Sequence, residues 1–188
     1  RGFATNRVLL VVDGVRMNNA IYRSGNLQNV ISIDALSTET AEVVFGPGSI
    51  IYGSDAIGGV MDFHSLEARL NTGKKDIYTK GSGLVRYSTA NAEKTAHADV
   101  SLGSRKFSFM GSVTYSQFDD LIMGIHGGQQ GFLRPQFVQR FGNRDSIVNN
   151  PNPRKQVFSG YEQWNTVQKL RFKPSEGLDL QYTFYYGG

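Results

Sequence analysis

The stretch EVVFGPGSIIYGSDAIGGVMDF, Glu42 to Phe63, sets a β-branched run against five glycines and then a second apolar run. A strand, a glycine-rich turn and a helix N-terminus in that order make a ready anion site, so a phosphate-cradling loop is the first reading to test. The spacing refuses it. A dinucleotide fingerprint opening at Gly46 and Gly48 needs its third glycine where Ile51 stands, and a phosphate loop closing at Gly53 needs Lys-Ser/Thr where Ser54 and Asp55 stand. Asp55 would also repel phosphate. Read locally, Ser49 is expected to cap a short helix through Tyr52, Gly53 ends it, and GVMDFH returns as a strand.

Working outward, NRVLLVVDGVRMNN holds an apolar strand over Val8 to Val12, the turn pair Asp13-Gly14 and a short second strand, a strong hairpin signal. AIYRSGNLQNVISIDALS reads mostly as loop, and ETAEVVF as the next strand. Together these make a small mixed α/β unit.

From Gly83 onward the period is two. LVRYSTA, KTAHADVSLG, KFSFMGSVTYSQF, YEQWNTVQKLRFK and LDLQYTFYY each alternate, with Val167 and Gln168 out of phase in the fourth. Val85, Tyr87, Ala98, Val100, Phe107, Phe109, Val113, Leu170, Leu180 and Phe184 fall on one face; Arg86, His97, Asp99, Lys169, Arg171 and Asp179 fall on the other. These five strands exceed the usual ~5–6 residues of soluble strands and match the ~9–11 of tilted membrane strands, with aromatics near their ends. The connections NAE, GSRK and PSEG are short, whereas Asp119 to Gly160 is long. Short periplasmic turns and long outer loops put GSRK and PSEG on the periplasmic side. Five strands do not close a barrel and lipid tolerates no open sheet edge, so a piece of a larger barrel is expected. Alternation by itself also fits a soluble antiparallel β protein with one wet face, such as an adhesion or binding module.

Composition narrows the classes. The 188 residues include no cysteine, which excludes a disulfide scaffold. The longest aliphatic run, VLLVV, is far short of the roughly 18 residues of a spanning helix. Residues 1–66 carry four Lys/Arg against six Asp/Glu, and residues 67–188 carry sixteen against ten. The basic half lacks helix-turn-helix, zinc-finger and RNA-recognition motifs, so nucleic acid is not expected as a partner. No G-x-S-x-G elbow, H-E-x-x-H or nucleophilic cysteine is present, and no enzymatic activity is expected. Asp119-Asp120 lacks the alternating oxygen ligands of a calcium loop, so no metal site and no cofactor are expected.

The residues RGF at Arg1 to Phe3, NRVLLVVDGVRMNN, and ISIDALSTETAEVVFGPGSIIYGSDAIGGVMDF together resemble the plug domain of TonB-dependent outer-membrane receptors. LRPQFVQRFGNRD through SGYEQWNTVQKLRFKP looks like the early barrel of such receptors, particularly those of the Bacteroidetes type. The resemblance implies a partial plug over residues 1–66, a connector over 67–79, and the first five barrel strands over 80–188, with an extracellular loop at 119–160. It implies a plugged barrel of about 22 strands in the Gram-negative outer membrane, lipid as surroundings, and coupling to the TonB-ExbB-ExbD complex through a Ton box expected before Arg1. The cargo implied is a scarce nutrient, a ferric siderophore or haem first, since VDGVRMNN looks more like iron-type receptors; oligosaccharide and vitamin B12 are the alternatives.

Site residues follow from the same resemblance. The outward plug tips after the hairpin would place Asn18, Asn19, Tyr22 and Arg23 against cargo, with Arg23 able to fork onto a carboxylate or catecholate; the plain alternative is a polar turn. His126 in the outer loop is the candidate haem ligand, set against an ordinary solvated histidine. Arg1 matches one plug arginine of the plug–barrel lock, whereas Phe45 stands where many relatives carry the other.

Overall fold

The structure, a computed structural model, describes residues 8–17, 33–46, 52–53, 56, 58–73, 76–89, 91–125 and 132–188. Its strands are β1 Val8–Val12, β2 Val15–Arg16, β3 Thr38–Phe45, β4 Gly59–Ser65, β5 Tyr78–Ser88, β6 Glu93–Gly103, β7 Phe107–Phe118, β8 Gln136–Phe141, β9 Arg144–Asn149, β10 Tyr161–Ser175 and β11 Leu178–Gly187. The chain divides into two compact units, one of Arg1–Ser82, Ala98–Thr114 and Asn165–Gly188, the other of Gly83–His97 and Tyr115–Trp164.

In the first unit a four-stranded sheet runs in the order β2-β1-β4-β3. Asp13 and Gly14 take φ of 48° and 79°, the left-handed pair that a two-residue hairpin turn requires, and β1 and β2 pair antiparallel across it. β1 lies parallel to β4, with Val11 opposite Asp62, and β4 lies antiparallel to β3, with Val44 opposite Val60. The central position of β1 explains its unbroken apolar run: Leu9, Leu10 and Val11 are all buried, whichever face they point to. Leu9, Val11, Ala56 and Val60 form the core, with Tyr52 packed against it. The opening question is settled at Gly59, where φ is 141° and a Cβ would stand 2.8 Å from the Val44 carbonyl oxygen. Glycine is there so that β4 can enter beside β3. The expected cap at Ser49 lies outside the described residues.

The long strands form a second sheet in the order β11-β10-β7-β6-β5, which contains all five expected strands. Burial along β7 is inverted relative to a soluble sheet: Ser108, Ser112 and Thr114 are buried, while Phe107 and Val113 are 47% and 44% exposed. β6 repeats this, with Glu93, Thr95 and His97 buried and the even positions from Lys94 to Leu102 exposed. An apolar outer face and a polar inner face are what lipid outside and a filled lumen inside demand.

Two expectations need correction, and one is given its reason. β5 begins at Tyr78 and not at Gly83. Val167 is out of the alternation as expected, an apolar residue on the polar inner face, because it packs there with Met110, Ala68 and Leu66 as a small apolar island. The stretch 119–160 is not all loop, because β8 and β9 pair antiparallel across Gly142, at φ 61°.

The second unit carries its own polar and aromatic ties. Glu93 accepts from Arg86 Nε at 2.8 Å and from Thr95 Oγ1 at 2.8 Å, which leaves Thr95 Oγ1 to accept from the Ser116 hydroxyl at 3.1 Å. Tyr115 meets Trp164 at 4.5 Å and Phe118 stacks on Tyr161 at 4.6 Å between ring centroids, near the strand ends where an aromatic girdle belongs. Asp120 Oδ1 accepts the backbone N–H of Ser159 and Gly160 at 2.8 and 2.9 Å, and Lys155 pairs with its Oδ2 at 3.3 Å. Partial burial would raise the Asp120 carboxyl, but these donors hold it below the ordinary value.

Candidate functional site

The tight β1–β2 turn aims the Asp13 side chain away from its own hairpin and onto the end of β4 and the inner faces of β10 and β11. Oδ1 accepts the Ser65 N–H at 2.9 Å; Oδ2 accepts the Ser65 hydroxyl at 2.7 Å and the Tyr185 hydroxyl, and pairs with Lys169 Nζ at 2.7 Å. Lys169 also donates to the Ser65 carbonyl at 3.3 Å, and the Ser65 and Tyr185 hydroxyls stand 3.0 Å apart. The Asp13 N–H is taken by the Phe63 carbonyl at 2.9 Å, so the turn is held by backbone as well as side chain. Lys169 and Tyr185 share a face because Lys169 pairs with Thr183 and Val167 with Tyr185 in the β10–β11 ladder. With only 19% and 12% of their side chains exposed, Asp13 and Lys169 form an ion pair largely out of water. Burial pushes the Asp13 carboxyl up, yet the Lys169 ammonium and the Tyr185 and Ser65 donors outweigh it and hold the carboxyl below its ordinary value.

A second set of ties lies at the 3-10 turn Ala35–Ser37. Asp34 caps this turn through the Leu36 N–H at 3.0 Å, and its Oδ2 accepts Thr114 Oγ1 of β7 at 2.6 Å. Ser37 Oγ lies 2.8 Å from Ser112 Oγ, and Ser108 Oγ donates to the Ala68 carbonyl at 2.9 Å. The inward hydroxyls of β7 thus satisfy the polar groups of the chain that precedes the long strands.

Two cavities flank the Asp13 cluster. One, of about 420 Å³, is lined largely by apolar groups including Val12, Val15, Met17, Ile33, Phe63 and Tyr185. The other, of about 270 Å³, is polar and lined by His64, Glu67, Lys169, Arg171 and Gln181. Asp13 and Thr183 border both.

Of the residues singled out in the sequence, Asn18, Asn19, Tyr22, Arg23, His126 and Arg1 lie outside the described residues. Met17, directly before Asn18, lines the larger cavity. Phe45 is 89% exposed at the end of β3. Sequence reasoning placed Lys169 on the inner face but missed its partner Asp13, which it read only as a turn residue. Among the described residues no group of three or more His, Asp or Glu side chains is placed to hold a metal ion.

Comparison with known proteins gives concordant results. Residues 1–60 match the family model described as TonB-dependent Receptor Plug Domain. The vitamin B12 transporter BtuB of Vibrio vulnificus is 38% identical over 95 residues, covering 50% of this chain and 15% of that protein. The hemin receptor of Yersinia pestis is 32% identical over 123 residues, covering 64% and 15%. Among solved structures, the copper transporter OprC superposes with a TM-score of 0.67 at 15% identity, over 96% of this chain and 23% of that one. The siderophore receptor PirA of Acinetobacter baumannii gives 0.65 at 15% identity, over 100% and 24%. The chain therefore spans 15% of the length of these two curated relatives.

Proposed function

We propose, on the premise that this chain is part of a TonB-dependent receptor of the Gram-negative outer membrane, that the complete receptor imports a scarce nutrient by energy-coupled transport. Residues 1–66 are assigned to the plug, 67–79 to a connector and 80–188 to the first barrel strands, with 119–160 facing the cell exterior. The carrying observation is the buried polar contact between the plug-type hairpin and the inner face of β10 and β11, which has the form of a stopper fitted in a lumen. Energy would come from TonB with ExbB and ExbD. The Bacteroidetes-type affiliation belongs to this proposal too, on the likeness of the long-strand segment; the two curated relatives quoted come from Vibrio and Yersinia.

For cargo the first choice is a ferric siderophore or haem. The stretch 119–160 carries five Lys/Arg against three Asp/Glu, a balance that favours anionic iron chelates. Relatives named for hemin and for vitamin B12 keep cobalamin as the second reading. The test is growth of a strain lacking the full-length receptor on a panel of ferric siderophores, haem and cobalamin, with a TonB-deficient strain alongside. Loss of growth on one iron source in both strains is the expected outcome. Unimpaired growth on every iron source with a defect on cobalamin would replace the iron assignment, and no defect anywhere would remove the import reading.

A further inference from the structure

After β4 the chain loses regular secondary structure, yet burial still alternates along residues 66–70: Ala68 is buried, Leu66 and Leu70 are half-buried, and Glu67 and Arg69 are exposed. Leu66 and Ala68 pack on Met110 of β7 and Val167 of β10, and Met110 has no exposed surface. The Ala68 carbonyl accepts the hydroxyl of Ser108, equally buried, at 2.9 Å. The Leu66 N–H donates to the Ser37 carbonyl and the Asn71 N–H to the Ser104 carbonyl, each at 2.9 Å. At Gly103, the last residue of β6, the Arg69 carbonyl comes so close that a Cβ would collide with it, and both sides of that contact are backbone. The chain before Ser65 is tied to the long strands differently. Asp13 and Asp34 reach them through side-chain oxygens, whose hydrogen bonds water can take over; lifting Ala68 from Met110 and Val167 instead lays apolar surface bare.

Resting on the import reading above, we infer that residues 66–71 are a stationary hold-fast: movement of the preceding chain stops at Ser65, and its load passes to β6, β7 and β10 and not to β5. These residues lie on the covalent path from β4 to β5, so a pull on the β2-β1-β4-β3 sheet arrives there first. Three fixings take it up in turn: the apolar island on β7 and β10, the Ser108 hydroxyl on the Ala68 carbonyl, and the seat of Arg69 and Asn71 against Gly103 and Ser104. Without them the pull would fall on β5 and strip it from β6, its neighbour in the sheet.

The test is single-molecule force spectroscopy on the full-length receptor in a lipid bilayer, pulled from its N-terminus, which needs neither cargo nor an energy source. In the wild type the length of chain released before the first barrel strand yields is expected to end at Ser65. Gly103→Val drives a side chain into the Arg69 carbonyl, and Met110→Ala hollows the apolar island. In each the released chain should lengthen by the twelve residues 66–77, about 40 Å when extended. Asp13→Asn should lower the force of an earlier step and leave the released length as in the wild type. Heat-modifiable mobility on gels reports folding. Ser108→Ala, the mildest change, covers the case in which the other two fail to assemble, and should show the longer release in severalfold more traces than the wild type. Release of residues 66–77 together with the preceding chain in the wild type overturns the hold-fast, as does wild-type length in folded Gly103→Val and Met110→Ala, or in Ser108→Ala where only that variant folds. Lengthening by Asp13→Asn overturns it too, since the stop would then lie upstream of Ser65. The expected release pattern in a receptor whose loss changes growth on no source would retain the hold-fast and overturn the import reading.

Discussion

At Gly59 the backbone adopts a φ of 141° beneath the Val44 carbonyl, so Gly59→Ala combines a left-handed strain with a Cβ at 2.8 Å from oxygen. The expected cost is about 1–3 kcal/mol, read as faster hydrogen exchange in β4 of the full-length receptor; unchanged exchange would show that the strand can shift to admit the methyl. Asp13 gives a pH prediction of definite sign. Its folded carboxyl is held below the ordinary value of about 3.9, so its contribution is complete above that value and fades as pH falls through the lower folded one. Acidification should therefore release the Ser65 N–H to exchange only below the ordinary carboxylate range. Removing the ammonium by Lys169→Met should move that release to higher pH, because burial then acts with one opponent fewer. An unmoved midpoint would mean that the hydroxyls alone hold the carboxylate.

The elements divide by how far their determinants lie apart in the chain. The β1–β2 hairpin was legible because Asp13-Gly14 is a local signal, and the long strands because alternation over eleven to fifteen residues, as in β6 and β10, repeats its evidence several times. β8 and β9 were missed since six residues each, with Gly142-Asn143 at the turn and Arg or Gln between the apolar positions, give too short a pattern to stand out inside a long polar connection. The Asp13 cluster was out of reach for a different reason: Tyr185 stands 172 positions along the chain, and no local pattern pairs a turn carboxylate with one inner-face tyrosine among several. Register along β6 offers a direct check. A spin-label scan from Lys94 to Leu102 should find oxygen access at even positions and protection at odd ones, following the observed burial; the opposite phase would turn the sheet inside out. In the outer stretch, Asp120→Ala removes the acceptor for two backbone N–H groups and the partner of Lys155. Proteolysis near Ser159 should rise while detergent-resistant barrel mobility stays unchanged, and no rise would assign the ordering of that loop to Asn150 and its backbone contacts.

On the scale of the molecule, the two sheets distribute their apolar groups in opposite ways. The β2-β1-β4-β3 sheet buries the aliphatic residues of its central strands around Leu9 and Val60, leaving Val43 and Val44 of β3 exposed, whereas the long-strand sheet turns Phe107, Val113, Leu180 and Phe184 outward. The inward serines and threonines of β7 have a mechanical meaning. Ser108, Ser112, Thr114 and Ser116 offer hydroxyls that bond as readily to water as to a neighbouring chain, while the island of Ala68, Met110 and Val167 with Leu66 resists wetting. In the import proposed above, a stopper seated on such a lining would be withdrawn with little new oily surface laid bare, so the work of extraction would fall on a few discrete ties while the emptied wall re-wets behind it: a bearing surface lubricated by its own solvent.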